Sequence, residues 1–162
     1  MLIHLMQHGT CLPKELDEHQ ALSPVGSEQI AKSAKAARIL GLRFQLIIAS
    51  PKVRSRQTAE IMAQHTGYPV ARIEVTEAVK AMASPQATID FIREYDGLDS
   101  ILIAGHLPSL RVVSSTLLTD SQKLDINIEN GGLMQLSLPN LGVKGTLNWY
   151  LSSTQLAQIA KG

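Results

Sequence analysis

The sequence predicts a three-layer α/β/α sandwich with a mostly parallel central sheet, because short apolar runs alternate with helical patterns. The runs 2–6, 46–49 and 101–104 are apolar without polar alternation, which is typical of strands buried on both faces of a parallel sheet. Helical patterns that follow Ser-Pro pairs lie between these runs. Strand and helix alternate from residue 1 to about residue 119, so right-handed crossovers are expected.

Three predicted helices begin at a Ser-Pro pair and end before a glycine. The pairs and the glycines that follow them are Ser23-Pro24 and Gly41, Ser50-Pro51 and Gly67, and Ser84-Pro85 and Gly97. A serine hydroxyl can cap the free N–H groups of a helix, and proline suits the first helical position. We therefore expect all three pairs to open helices.

The last third of the chain has a less regular pattern. Segments 133–138 and 146–151 predict two further strands, which are expected to pair across the connection 139–145. Segment 153–161 predicts a short terminal helix. The chain has no internal repeat and no linker long enough to divide it into two cores, so residues 1–162 are predicted to form a single domain.

Composition disfavours several classes of protein. The chain has 15 Lys and Arg against 14 Asp and Glu, and it has no basic stripe with interleaved aromatics, so no nucleic-acid partner is expected. No apolar run approaches the ~20 residues of a spanning helix, and no signal peptide is recognisable, so no membrane association is expected. The single cysteine, Cys11, fits a reducing compartment, which predicts a cytoplasmic location.

Residues capable of phosphate chemistry directly follow three predicted strands. His8 follows the first strand, Arg54 lies shortly after the second, and His106 follows the run 101–104. Ligands of open α/β sheets bind beyond the carboxyl ends of the strands, so these residues are expected to converge. One histidine at such a place is more often a packed or capping residue, but three groups together favour a phosphate site.

The chemistry of these groups matches phosphoryl transfer. A neutral imidazole can attack phosphorus, while a second imidazole and a guanidinium bind the phosphoryl oxygens. His4 and His8 lie on one face of the first strand, but four residues of strand span ~13 Å, too far for one metal ion. We therefore expect His4 to pack within the sheet and predict no metal site.

Three motifs resemble the signature blocks of the histidine phosphatase (phosphoglycerate mutase-like) superfamily. They are Gln7-His8-Gly9-Thr10, Ser50-Pro51-x-x-Arg54-x-x-Gln57-Thr58-Ala59 and Gly105-His106-x-Pro108. The small size and the segment Leu22-Ser23-x-x-Gly26 are most similar to the compact SixA-type phosphohistidine phosphatases. The resemblance covers residues 1 to about 151.

The resemblance implies a phosphatase without metal or organic cofactor, acting on a phosphohistidine protein or a small phosphate ester. It implies that His8 is the nucleophile, forming a covalent phosphohistidine that water hydrolyses. Arg54 and His106 would hold the phosphoryl oxygens. The phosphate-binding residues predicted around them are Gln7, Gly9, Thr10, Ser50 and Leu107. For Thr10, simple turn capping is an equally good interpretation.

The first block departs from the family pattern, which has arginine where this chain has Gln7. A glutamine amide donates hydrogen bonds but carries no charge and no guanidinium fork. Loss of one oxyanion donor costs roughly 10²–10³-fold in rate, so a weakly active or inactive phosphoryl-binding or regulatory protein is the alternative function. Lys52, Arg56 and Arg111 are candidate compensating cations, although Arg56 lies about 200° around its helix from Arg54.

No motif identifies a general acid. Glu77 and Glu74 lie where larger members of the family supply a carboxylate, and Glu77 is the better candidate. The other interpretation of Glu77 is a solvent-facing carboxylate at a strand end. A phosphohistidine leaving group protonates easily, so its hydrolysis needs a dedicated acid less than that of an alkyl phosphate. A mutase, the third alternative, needs longer loops than these connections provide.

Overall fold

The computed structural model describes residues 1–140 and 144–162. The strands are β1 (Leu2–Gln7), β2 (Leu46–Ala49), β3 (Glu74–Val75), β4 (Ser100–Gly105), β5 (Leu133–Ser137) and β6 (Thr146–Leu151). The helices are α1 (Pro24–Ile39), α2 (Val53–Thr66), α3 (Pro85–Arg93), α4 (Ser109–Thr119) and α5 (Ser153–Lys161). Single 3-10 turns cover 70–72 and 77–79.

The strands form one mixed sheet in the order β3-β2-β4-β1-β5-β6. The first four are mutually parallel, whereas β5 is antiparallel to β1 and β6 is antiparallel to β5. This confirms the predicted mostly parallel sheet. In the register, Gln7 of β1 lies opposite Gly105 of β4, and Ala49 of β2 lies opposite Ala104. The residues that follow β1, β2 and β4 therefore emerge side by side.

The helices cover both faces of the sheet and give the three predicted layers. Helices α1, α2 and α5 pack on one face, where Met6, Ile47 and Leu102 point, and α3 and α4 pack on the other, with Ile48 and Ile103. Successive residues of a strand face opposite layers, so the odd-numbered and the even-numbered residues must both be apolar. Burying each such side chain contributes about 1.5–3 kcal/mol. This explains the unbroken apolar runs.

Two of the three predicted Ser-Pro helix starts are confirmed. The Ser23 hydroxyl accepts from Gly26 N at 2.9 Å, and the Ser84 hydroxyl accepts from Ala87 N at 3.1 Å. The prediction for Ser50-Pro51 is wrong, because α2 begins at Val53 and its N-cap residue is Lys52, without a side-chain cap. The Ser50 hydroxyl is instead bonded to a side chain from another strand end, as described below.

The C-terminal predictions are confirmed in outline. Strand β6 covers Thr146–Leu151, β5 ends one residue earlier than predicted, at Ser137, and the two strands pair antiparallel. In the connection predicted across 139–145, residues 141–143 lie outside the described residues. Helix α5 is capped by Ser152, whose hydroxyl accepts from Gln155 N.

His4 packs inside the sheet, as predicted. Its side chain is 0% exposed, Nδ1 donates to Ile101 O at 3.0 Å, and Nε2 accepts from the Gln135 amide at 3.0 Å. The Phe44 ring lies edge-on, with centroids 5.0 Å apart. Burial lowers the pKa of His4, so the ring is neutral and structural.

Within residues 1–140 and 144–162, no helix is both long enough and apolar enough to cross a membrane.

Candidate active site

The parallel register brings His8, Arg54 and His106 together at the carboxyl edge of the sheet. His8 directly follows β1 and His106 directly follows β4, and their ring centroids lie 5.1 Å apart. Arg54 lies in the first turn of α2, and, after burial, its charge contributes to lowering the pKa of both imidazoles. The convergence that the sequence predicts is therefore present in the structure.

The backbone of His8 is held on both sides. His8 N donates to Gly105 O at 3.0 Å, and the Asn130 amide donates to His8 O at 2.8 Å. The ring Nδ1 donates to Gly9 O at 2.7 Å, which leaves the lone pair on Nε2. Sequence analysis missed Asn130, which lies 122 positions after His8 in the chain. It belongs to no recognisable motif.

A chain of hydrogen bonds positions His106. Its Nε2 is hydrogen-bonded to the Ser50 hydroxyl at 2.6 Å, and that oxygen also accepts from Lys52 N at 3.3 Å. Ser50 N donates to the Ser55 hydroxyl, which donates to Ala104 O at 2.7 Å. The ends of β2, β4 and α2 are thereby joined. Ser50 is fully buried, so its predicted place at the pocket wall and its phosphate-binding role stay predictions. Ser55 was not anticipated, because no motif marks it.

Both imidazoles are neutral at neutral pH. Burial lowers the pKa of His8, the Gly9 hydrogen bond opposes this, and Arg54 lowers it further. Burial lowers the pKa of His106 to about 3, helped by repulsion from His8, which is protonated at such low pH, and from Arg54 and Lys52. His8 therefore offers an unprotonated nucleophile. His106 contributes hydrogen bonding, while Arg54 contributes the charge.

These shifts predict a pH dependence of stability. A histidine whose pKa is lower in the folded than in the unfolded protein binds fewer protons when folded. For His106 the full contribution to the free energy of unfolding is present above pH 6.5 and is lost progressively as pH falls toward about 3. Urea unfolding across this range should show falling stability, with a shallower slope in His106→Gln. An unchanged slope would contradict the assignment.

Gly9 lets the segment after β1 pack closely against its surroundings. Gly9 N donates to the Thr58 hydroxyl at 3.1 Å, and the same hydroxyl donates to Arg54 O. A Cβ on Gly9 would lie 2.7 Å from Cγ1 of Ile30, so larger residues do not fit without movement of α1. The Thr58 hydrogen bonds couple the His8 segment to α2, the helix that carries Arg54.

Thr10 is bonded to α1. Both its backbone N–H and its hydroxyl contact Gln29 Oε1, at 3.2 and 3.4 Å, and its side chain is exposed. A Cβ on Gly26 would overlap the Thr10 carbonyl, so this helix glycine allows the close approach. These contacts are with a side chain of α1 and not with the backbone of a turn, so turn capping and phosphate binding by Thr10 both stay predictions.

Gln7 and Leu107 flank the two histidines. Gln7 is half-buried at the end of β1, and its carbonyl accepts from Gly131 N at 2.9 Å. The Leu107 side chain packs against the core beneath α3 and α4, so only its backbone can serve the site. Phosphate binding by either residue stays a prediction.

Glu77 is a solvent-facing carboxylate. Its side chain is 78% exposed and lies 3.3 Å from Lys80 Nζ, just after β3. Glu74 is also exposed. Its ion-pair partner, Lys80, directly follows the 3-10 turn, and a general-acid role for Glu77 stays a prediction.

A cleft of about 580 Å³ opens in front of Arg54. It is lined by Lys14, Glu18, His19, Gln20, Pro51, Lys52, Val53, Arg54, Arg56 and Lys80. A smaller cavity of about 180 Å³ adjoins it and is lined by Lys52, Arg54, Lys80, Ala81, Met82 and His106. We call the first the cleft and the second the inner cavity.

The three candidate compensating cations differ in position. Lys52 lines both the cleft and the inner cavity. Arg56 is exposed, as its helical position predicts, and it lines only the cleft. Arg111 is not among the residues described as lining the cleft or the inner cavity. In the described part of the chain, no group of three His, Cys, Asp or Glu side chains could hold a metal ion.

Comparison with known proteins supports the resemblance. The family model described as histidine phosphatase superfamily (branch 1) matches residues 3–83, half of the chain, and includes the first two motifs. The solved structure of the protein histidine phosphatase SixA complexed with tungstate has 20% identity and a TM-score of 0.86, covering 96% of this chain and 99% of that one.

Two other solved structures have the same fold. A putative phosphohistidine phosphatase SixA from Agrobacterium tumefaciens has 19% identity and a TM-score of 0.73, covering 93% of this chain and 97% of that one. A putative alpha-ribazole-5'-P phosphatase from Escherichia coli has 16% identity and a TM-score of 0.75, covering 94% and 98%. No curated protein matches the sequence. The family match and the phosphoglycerate mutase-like fold together show that the chain belongs to the histidine phosphatase superfamily.

Proposed function

We propose that residues 1–162 act as a single-domain phosphatase that hydrolyses a phosphohistidine protein or a small phosphomonoester through a covalent phosphohistidine on His8. One observation carries the proposal. The His8 ring is neutral, its Nδ1 is bonded to Gly9 O, and its centroid lies 5.1 Å from that of His106, beside Arg54. A nucleophile with a free lone pair thus lies next to groups that bind phosphoryl oxygens.

In the first step, His8 Nε2 attacks phosphorus. The N–P bond to His8 forms, the bond from phosphorus to the leaving nitrogen or oxygen breaks, and the leaving atom takes a proton. Arg54 donates to the phosphoryl oxygens as charge spreads over them. His106, fixed by Ser50, offers a hydrogen bond, and a phosphoryl anion beside it would favour its protonated form.

In the second step, water attacks the phosphohistidine. A P–O bond forms, the N–P bond to His8 breaks, and inorganic phosphate leaves with the free enzyme regenerated. A phosphoramidate substrate fits this site well because its leaving nitrogen protonates easily and Glu77 is turned to solvent. The SixA structures, which share the fold, are named as phosphohistidine phosphatases, and this supports the same substrate class.

Two lysines support activity despite Gln7. Lys52 and Lys80 line the inner cavity together with Arg54 and His106. Their ammonium groups add positive charge beside Arg54 and His106, though without the planar fork of a guanidinium. The alternative, a phosphoryl-binding or regulatory protein with little turnover, rests on Gln7 itself, and a substitution at that position separates the two functions.

The proposal is tested by trapping the intermediate. Incubation with radiolabelled phosphoramidate or acetyl phosphate should give protein-bound label that is stable in alkali and lost in acid. The label should be absent from His8→Ala. Acid-stable label, or label that persists without His8, would overturn the proposal.

A further inference from the structure

The cleft contains more positive charge than one phosphoryl group requires. Its lining includes five cationic side chains and, in the lining as described, one carboxylate, Glu18. The cations are Lys14, Lys52, Arg54, Arg56 and Lys80. Across the whole chain, basic and acidic residues nearly balance, at 15 and 14. The excess is therefore local to the cleft that leads to the catalytic histidines.

The cations fall into two sets. Lys52, Arg54 and Lys80 line both the cleft and the inner cavity beside His106. Lys14 and Arg56, which we call the outer cations, line only the cleft. The first set lies beside His106, whose ring centroid is 5.1 Å from that of His8. The outer cations face the adjoining space, which the rest of a substrate would occupy.

The outer cations form no ion pair within the described residues. The ion pairs among residues 1–140 and 144–162 are Lys32–Glu28, Lys80–Glu77, Arg93–Asp90 and Lys144–Asp120. Neither Lys14 nor Arg56 takes part in them. Like charges that face one concave surface raise its potential and attract anions.

The loop that carries Lys14 is held in a fixed shape. Asp17 accepts from His19 N at 3.0 Å and from Ala21 N at 2.9 Å, and these hydrogen bonds lower the pKa of its carboxyl group. The Gln57 side chain of α2 accepts from Leu22 N at 2.7 Å. The Asp17 carboxylate is thus directed into the loop, and the Gln57 contact ties the loop to α2, which carries Arg56.

We infer that the outer cations bind a second anionic group of the substrate, a phosphate or carboxylate carried beside the phosphoryl group that is transferred. This inference rests on the proposed function and narrows its substrate class. The second group could belong to a small bisphosphate or phosphorylated acid, or to an acidic side chain beside a phosphohistidine. The shared chemistry is two anionic groups on one substrate, one for His8 and one for Lys14 and Arg56.

The test compares the parent with the double variant Lys14→Gln/Arg56→Gln. The probes are alkane bisphosphates of increasing length and the matching alkyl monophosphates, used as substrates and as calorimetric ligands. Because each partly exposed ion pair is weak, we expect the KM and Kd of the best bisphosphate to rise about tenfold, with kcat and the monophosphate constants changed by less than about twofold. Added salt should reduce the parent's preference for bisphosphates.

The matched control is Lys35→Gln/Arg38→Gln, which removes the same charge from the exposed face of α1 and should leave both ligand classes unchanged. Phosphohistidine peptides with glutamate or glutamine flanks identify the source. A glutamate preference lost in the double variant supports a protein substrate, and an effect confined to bisphosphates supports a small one.

The two proposals fail separately. Equal constants for both ligand classes in the parent and the double variant would overturn the inference, even if monophosphates are hydrolysed through His8. If no ligand is turned over, the proposed function fails, and calorimetry still decides whether the outer cations bind a second anionic group.

Discussion

Replacing His8 by alanine should abolish turnover of phosphoramidate and of phosphomonoesters. Loss of an attacking nucleophile in a covalent mechanism costs about 10⁵-fold or more in kcat, because no other group occupies the position from which bond formation starts. His106 does not substitute for His8, since its Nε2 is hydrogen-bonded to the buried Ser50 hydroxyl. The measurement is kcat under saturating substrate, with the intermediate trapped in parallel.

The fold should survive this substitution, so the loss can be assigned to chemistry. The backbone bonds of His8, to Gly105 O and from Asn130, do not use the imidazole. His65→Ala, in the last turn of α2, is the matched control and should keep parental kcat. His8→Ala that retains kcat within about tenfold of the parent would contradict nucleophilic catalysis by His8.

The sheet and the three catalytic candidates could be predicted because they depend on strong local signals. Parallel strands buried on both faces require unbroken apolar runs, and the register of β1, β2 and β4 aligns the residues that follow them. The positions of the motifs around His8, Arg54 and His106 in the sequence therefore predict that these residues meet at one edge of the sheet.

The residues that position the catalytic candidates could not be predicted, because their tertiary contacts produce no periodic pattern in the sequence. Asn130 reaches His8 O across 122 positions, and Ser55 reaches Ala104 O across 49. The role of Ser50 was missed for the same reason, because a Ser-Pro pair predicts a helix start from neighbouring residues alone. In the fold its hydroxyl instead bonds His106, which lies 56 positions away. The local sequence pattern predicted a helix cap, but the hydroxyl forms its hydrogen bond with the buried His106 side chain.

Replacing Gln7 by arginine should raise kcat/KM for phosphoramidate by about 10²-fold, the size of one recovered oxyanion donor. Gln7 ends β1 directly before His8 and is half-buried opposite Gly105, so a guanidinium at this position would start from the sheet edge that carries His8 and His106. Gln7→Lys should recover less, because an ammonium carries charge without the bidentate fork. Steady-state kinetics on the same substrate separates the two variants.

The same substitution decides whether Lys52 compensates for the missing arginine. Lys52 lines the inner cavity with Arg54 and His106, so its charge and that of a new arginine would act on one anion. Groups that act on one anion are not additive, and Gln7→Arg should therefore give a larger increase in a Lys52→Gln background than in the parent. Equal increases would exclude Lys52 as the compensating cation. A fall in kcat/KM after Gln7→Arg would show that the glutamine suits this enzyme's own substrate, because added positive charge alone should favour any phosphoryl anion.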